Sequence, residues 1–361
     1  MTKDPLADLK AYFHSFSVDH AGPVSPLYAV LTAHVAGDRS LLEFAAKAKK
    51  GQPPANLLLG SVHYLLAACG GSDELAGYYP SLGGAREPDG DTARLFAEFV
   101  WDRESELLDL MLANVTNTNE VARAALLLPG LLEAAREAQK PLALVEIGPS
   151  CGLVLCWDKY RYQYGDLELG DPNSTVTLAP ELRGPPPPIK SPLPDVASRT
   201  GLEMHPVDLT DPHTIAWQRA LIWPEHQDRA ARFDQAIEVA RTTEMEIIAG
   251  DAVETISDVI ACIPEDQAIC VHHSFAAYQI PPKRRRVLSE ILREASKARP
   301  IWRVGVEWAG VYDPDTQINK NILDLARYQG GNATFQKLAF CESHGRWIEW
   351  SPEPLQDGDR L

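Results

Sequence analysis

The chain has 361 residues, 45% hydrophobic and 23% charged, a balance that suits globular packing around one large core or two smaller ones. Its 50 acidic residues against 34 basic ones give a formal charge of −16, a surface that repels phosphate backbones and argues against nucleic acid as a partner. The start "MTKDPLADLKAYF" lacks an apolar signal core. The most apolar window, "NLLLGSVHYLLAACG", is too short for a span and carries His63, so a buried helix and no membrane partner are expected.

Residues 1–138 read as an all-helical region. "PLADLKAYFHSF", "SPLYAVLTAHVAG", "RSLLEFAAKAKK", "NLLLGSVHYLLAACG", "DTARLFAEFVWDRESELLDLMLAN" and "NEVARAALLLPGLLEAAREA" repeat apolar residues at three- and four-residue spacing. Glycine and proline breakers separate them, and no fixed period suggests a solenoid.

Residues 139–361 change to short β-rich runs separated by helices. Strands are expected at "LALVEI", "LEMHPVD", "EMEIIAG", "QAICVHHS" and "IWRVGVEWAG", followed by the pair "ATFQKLAFCES" and "GRWIEW". Helices are expected at "GLVLCWDKYRY", "PHTIAWQRALI", "RAARFDQAIEVART", "AVETISDVIACI" and "PKRRRVLSEILREASKA". Alternation of this kind predicts an α/β fold with a mostly parallel, Rossmann-like sheet, closed by an antiparallel C-terminal hairpin. The segment from about 165 to 198 fits neither half. Strand-like pieces flank the turn "GDPNS", and Pro185 to Pro188 cannot enter a sheet interior, so it reads as an inserted β-hairpin flap. The basic run Lys283 to Arg286 reads as a solvated helix start.

The six cysteines (Cys69, Cys151, Cys156, Cys262, Cys270 and Cys341) form no CxxC pair, so free thiols in a reducing cytoplasm are expected. "CVHH" places Cys270, His272 and His273 together, but strand neighbours point to opposite faces, so no metal is expected there.

Between the first strand and helix lies "VEIGPSCG". The dinucleotide fingerprint G-x-G-x-x-G, started at Gly148, meets Ser150 and Leu153 where glycines belong. The S-adenosylmethionine turn, acid-x-G-x-G-x-G, matches at Glu146, Gly148 and Gly152 and departs only at Ser150. A purely structural turn is the third possibility. In such folds an acid ends the second strand and accepts from the ribose hydroxyls, ~20 residues beyond the turn. Glu203 has that context, and excising the flap restores the spacing from Gly152. Asp251, in "IIAGDAVETI", could meet an adenine amino group or simply cap its helix. The fourth strand ends in His272, His273 and Ser274, with Tyr278 beyond. Of these, His273 is expected to face the cleft as a general base, with Tyr278 as the alternative.

These motifs, with "SPLYAVL", "YYPSLGG", "TNEVARAALLLPGL", "DKYRYQYG", "RGPPPP", "ASRTGLEMHPVDLTDP", "ALIWPEHQDRAARFDQAI" and "VHHSFAAYQIPP", run through nearly the whole chain. On them the sequence resembles the bacterial family catalogued as domain of unknown function 2332. The resemblance implies a class I methyltransferase-like domain behind a helical region, and it implies no substrate. The chain departs from the family at Cys151, where alanine is common, and at Val154, where asparagine often follows Gly-Leu. It also draws attention to polar residues that packing does not explain. Asn119 could cap a helix; Glu120 and Arg123 could form a surface ion pair or line the cleft roof; Arg161 could bind a substrate carboxylate or phosphate beside Tyr164. The expected function is S-adenosylmethionine-dependent methylation of a small molecule, with the helical region and flap closing over the cleft. A protein that senses a nucleotide or binds a partner without catalysis is the alternative. A nicotinamide-dependent oxidoreductase is disfavoured by the two failed glycines.

Overall fold

The computed structural model describes residues 5–190, 192–311, 313 and 316–356. In chain order the α-helices are α1 (Ala7–Ser15), α2 (Pro26–Gly37), α3 (Arg39–Ala45), α4 (Pro54–Ala68), α5 (Thr92–Asp102), α6 (Glu104–Ala113), α7 (Arg123–Ala138), α8 (Pro212–Ala220), α9 (Gln227–Thr242), α10 (Ala252–Cys262) and α11 (Pro282–Ala295). The strands are β1 (Leu142–Ile147), β2 (Arg161–Tyr164), β3 (Leu167–Gly170), β4 (Thr177–Leu178), β5 (Glu181–Arg183), β6 (Val196–Glu203), β7 (Glu246–Ala249), β8 (Ala268–Ser274), β9 (Ile301–Trp308), β10 (Asn321–Gln329), β11 (Asn332–Cys341) and β12 (Trp347–Leu355).

Two compact units emerge. The helical unit comprises the chain up to Thr118 together with Leu209–Asp234. This differs from the division at 138/139 in two ways: α7 belongs with the sheet, and α8 belongs with the helices. The second difference has a packing cause. Trp217 joins the helical core and its Nε1–H donates to the Val115 carbonyl at 2.9 Å, while Glu225 accepts from Ser25 Oγ at 2.8 Å and Leu27 N at 3.1 Å. His63 lies buried on α4 as expected. Its ring nitrogens meet the Ala220 carbonyl at 2.9 Å and Ser81 Oγ at 2.7 Å, and burial pushes the imidazole down to about 4. No helix among the described residues is long and apolar enough to cross a membrane.

The sheet unit comprises Asn119–Asp208 and the chain from Gln235 onward. Its nine strands run in the order β5-β12-β11-β10-β9-β8-β1-β6-β7. From β7 to β9 all neighbours are parallel, and β9 to β12 form an antiparallel meander. The architecture is therefore mixed α/β, and the antiparallel pair expected at the C-terminus is present as β11 and β12. Ile269 and Val271 of β8 pack with Val145 and Ile147 of β1 against Ile256 of α10 and Leu288 of α11. On the opposite face α7 comes so close that a Cβ on Gly130 would stand 2.6 Å from Val304 Cγ1.

Four local expectations need correction. The strand expected at "LEMHPVD" is β6, which ends at Glu203 instead of running through it. Its start was hidden by Arg199, whose guanidinium pairs with Asp158 at 2.6 Å. The helix expected after Gly152 is only a 3₁₀ segment, Val154–Lys159. It ends where Tyr160 turns extended, and the Tyr160 and Tyr162 hydroxyls donate to the carbonyls of Leu153 and Trp157, each at 2.6 Å. An unexpected strand, β10, carries Asp324 in its buried stretch, where Arg303 of β9 neutralises it at 2.7 Å. Within the basic run, Arg285 is buried and donates to the carbonyls of Ala277, Ile280 and Val311.

The inserted segment begins four residues early. Its hairpin is β2–β3, turning at Gly165, with β4 parallel to β2 in a separate small sheet. The chain then adds β5 beside β12 at the edge of the main sheet, and Pro185 to Pro188 follow outside any strand.

Candidate functional site

From β1 the chain moves outward to β6 and β7, then returns to β8 and β9 on the other side. In sheets with such a reversal, ligands usually lie beyond the carboxyl ends of the strands that flank it, here β1 and β8. The glycine turn lies there. Gly148, Ser150 and Gly152 have φ of 69°, 51° and 70°. Glycine tolerates this conformation, whereas Ser150 and the nearby Phe275 (φ 53°) hold it against the preference of an L side chain. The turn is packed closely from two sides: a Cβ on Gly152 would stand 2.6 Å from Met245 Sδ, and one on Gly201 2.6 Å from Pro149 Cγ.

Glu203 ends β6 beside this turn. One carboxylate oxygen accepts from Ser150 N at 2.9 Å and the other from His205 N at 3.1 Å. Asn119 reaches the same turn from before α7, its Oδ1 accepting from Cys151 N at 3.2 Å. Asp251 follows β7 and caps α10 by accepting from Val253 N at 2.8 Å, and it pairs with Arg284 at 2.9 Å. The adjacent Gly250 N donates to the Glu203 carbonyl at 3.0 Å, so the ends of β6 and β7 meet.

Glu146 sits one strand residue before the turn and is buried, with His272 Nδ1 3.9 Å from its carboxylate. Burial, together with the Glu203 charge, pushes its carboxyl up to about 8 against the opposing pull of Arg123, so it is predominantly protonated at neutral pH. Burial, helped by His273, lowers His272 to about 3 and keeps it neutral. The expectation that His273 faces the cleft is not met. Its side chain is fully enclosed and contacts Glu307 at 2.9 Å, while the same Glu307 oxygen accepts from Ala276 N and Ala277 N. Tyr278 is 58% exposed on the following 3₁₀ turn.

The structure does not bring Arg161 and Tyr164 to the glycine turn. Arg161 pairs across its hairpin with Glu168 at 2.6 Å, and the buried Tyr164 hydroxyl donates to the Ala125 carbonyl of α7. It does gather Glu120 and Arg123, both buried. Arg123 donates to the carbonyls of Ser343 at 3.0 Å and Ser274 at 3.4 Å, with its guanidinium 4.3 Å from the Phe275 ring centroid. Glu120 is buried and meets a residue absent from the sequence reading, His344, at 3.2 Å. The only signal for it is a histidine before glycine in "ESHGR", between two strand-like runs. Among the described residues no three His, Cys, Asp or Glu side chains converge as a metal ion would require.

A family model described as "Uncharacterized protein conserved in bacteria (DUF2332)" matches residues 10–350. No curated protein and no solved structure matches the chain.

Proposed function

Since the chain belongs to this bacterial family over residues 10–350, and its acid–glycine turn meets a second acid at the end of β6, we propose that the sheet unit binds S-adenosylmethionine and methylates a small molecule. The parallel run β7-β6-β1-β8-β9 supports a Rossmann-like reading of the sheet. The single observation that carries the cofactor is the Glu203 carboxylate, held against Ser150 N at 2.9 Å with lone pairs left for ribose hydroxyls. Met204, 65% exposed immediately after it, offers an apolar surface for a base, and Asp251 an acceptor for its amino group.

Charge favours a sulfonium ligand over a dinucleotide. The Glu203 charge disfavours ionisation of Glu146; a cation bound beside the two carboxyls offsets that effect, whereas a pyrophosphate adds to it. When bound, the cofactor supplies an electrophilic methyl group. The residues of the chain hold and orient it, and proximity and alignment then provide most of the acceleration.

Calorimetry with S-adenosylmethionine, S-adenosylhomocysteine, NAD and NADP tests this reading. At ~100 times Kd, a ligand raises unfolding stability by about 2.7 kcal/mol. Binding of the two adenosyl-sulfur ligands and not the dinucleotides is the expected result; no response to either at millimolar concentration rejects it. Glu203→Ala should weaken binding by about 1.5–3 kcal/mol, the worth of hydrogen bonds to a charged group.

A binding-only role is the second reading. It is favoured by the turn's support, a six-residue 3₁₀ segment in place of a full helix, and by Val154, where the family resemblance implies a polar asparagine. Adenosylhomocysteine formation with any acceptor would exclude it.

A further inference from the structure

We propose that His344 is the proton-accepting residue of this site and that Glu120 positions it. The inference rests on the methyl-transfer reading for its chemistry, but its geometry stands independently. His344 lies in the β11–β12 turn. Cys341 pairs with Asn321, which in turn pairs with Trp308 at the carboxyl end of β9. The turn is therefore on the same sheet edge as the glycine turn.

His344 Nδ1 is 3.2 Å from Glu120 Oε2, with the imidazole 33% exposed and the carboxylate almost wholly buried. A buried carboxylate on one ring nitrogen fixes the tautomer and ring orientation and supports the positive charge gained when the other nitrogen takes a proton. Glu120 is itself oriented, because its other oxygen accepts from Ala122 N at 3.2 Å.

The turn is built to present this ring. Glu342 accepts from His344 N at 2.9 Å, Arg346 N at 3.2 Å and Ser343 Oγ at 3.1 Å. Gly345 adopts φ 75° and lies so near α7 that a Cβ there would stand 2.6 Å from the Ala122 carbonyl oxygen. Arg123 ties the turn to the end of β8 through the carbonyls of Ser343 and Ser274. Asn119, adjacent to Glu120, bonds the glycine turn at Cys151 N. The charged groups that hold the turn are thus Glu120, on the imidazole, Arg123, on the Ser343 carbonyl, and Glu342 from the turn itself. In the transfer step the acceptor's heteroatom forms a bond to the methyl carbon as the carbon–sulfur bond breaks toward sulfur. The proton leaving that heteroatom goes to His344 Nε2.

The test labels histidines with diethyl pyrocarbonate in the full chain, read by peptide mass spectrometry. His344 should react faster than the buried His272 and His273 by on the order of 100-fold, the slowing that a local opening of about 2.7 kcal/mol imposes. Glu120→Gln should slow His344 several-fold, and Glu120→Asp should restore part of the rate. Labelling of His344 no faster than the buried pair, or indifferent to Glu120→Gln, overturns the assignment. His344→Asn, at a part-exposed turn, should leave S-adenosylmethionine affinity unchanged, and loss of affinity would make His344 a cofactor ligand instead. If the unaltered protein fails to bind S-adenosylmethionine, the methyl-transfer reading falls while the labelling result still decides the dyad. Once an acceptor is in hand, His344→Asn should lower kcat by about 10²–10⁴, with the loss shrinking for acceptors that ionise without help.

Discussion

The two units bury polar groups in opposite ways. The helical unit encloses neutral ones: Ser25, Thr32, Ser61 and Thr92, with His63 held uncharged between two partners. Every buried Asp, Glu, Lys or Arg among the described residues belongs to the sheet unit, including Glu120, Arg123, Glu146, Arg303, Glu307 and Asp324. An unpaired charge in such surroundings costs several kcal/mol, so a unit that keeps many must pair them or hold them neutral. Arg303–Asp324 does the first between β9 and β10, inside the sheet. Glu146 does the second at its carboxyl edge, where the glycine turn lies. The difference teaches that one unit is held mainly by apolar packing, whereas the other carries an electrostatic arrangement that packing alone does not require.

The sharpest way to break this contrast is Asp324→Leu, which takes away the carboxylate 2.7 Å from a fully buried guanidinium. It should remove about 3–5 kcal/mol in urea denaturation, and adding Arg303→Met should return most of that. A loss below about 1 kcal/mol would mean that the pair is not desolvated.

Glu146→Gln separates held-neutral acid from paired charge. The folded carboxyl, raised from 4.5 to about 8, binds its proton more tightly than the unfolded one. Its contribution is therefore full below about 4.5 and is lost as pH rises through 8, a change of several kcal/mol. The wild type should lose stability relative to Glu146→Gln across that window, as read from urea midpoints at successive pH values.

In the helical unit His63→Leu should cost about 1–3 kcal/mol by leaving the Ala220 carbonyl and Ser81 hydroxyl unpartnered. The wild-type imidazole, lowered from 6.5 to about 4, contributes stability that is present above 6.5 and lost as pH falls toward 4. That acid-side loss should disappear in the variant. The smallest effect belongs to Arg161→Ala. Its exposed pair with Glu168 should be worth no more than about 0.5 kcal/mol, and its removal should leave adenosylmethionine affinity unchanged.

Much of the candidate site was legible because local rules write it. Glycines mark the positive-φ positions at 148 and 152, and the polyproline stretch marks an insertion whose removal brings Glu203 near the turn. The failures share one cause, the direction in which a side chain points. On β8, alternation says that His272 and His273 face apart, and only packing against α7, α10 and α11 shows both enclosed. Arg161 falls within the helix expected at "GLVLCWDKYRY", yet tyrosine hydroxyls bonding nearby carbonyls end that segment after one 3₁₀ stretch. Strand β10 was missed because a charge in its buried stretch spoils the apolar run, and the partner that makes it tolerable lies 21 residues away. His344 escaped because nothing near it in the chain says that Glu120 will meet it.

By itself the sequence determined the helical first third, the alternating strands and helices after it, and the acid–glycine turn, all of which follow from short-range periodicity and backbone sterics. Only the tertiary structure decided that α8 joins the helical core, that Glu146 is enclosed enough to hold its proton, and that Glu120 and His344 meet across 224 residues of chain. Those outcomes depend on desolvation and on long-range partners, and neither is written in the local pattern.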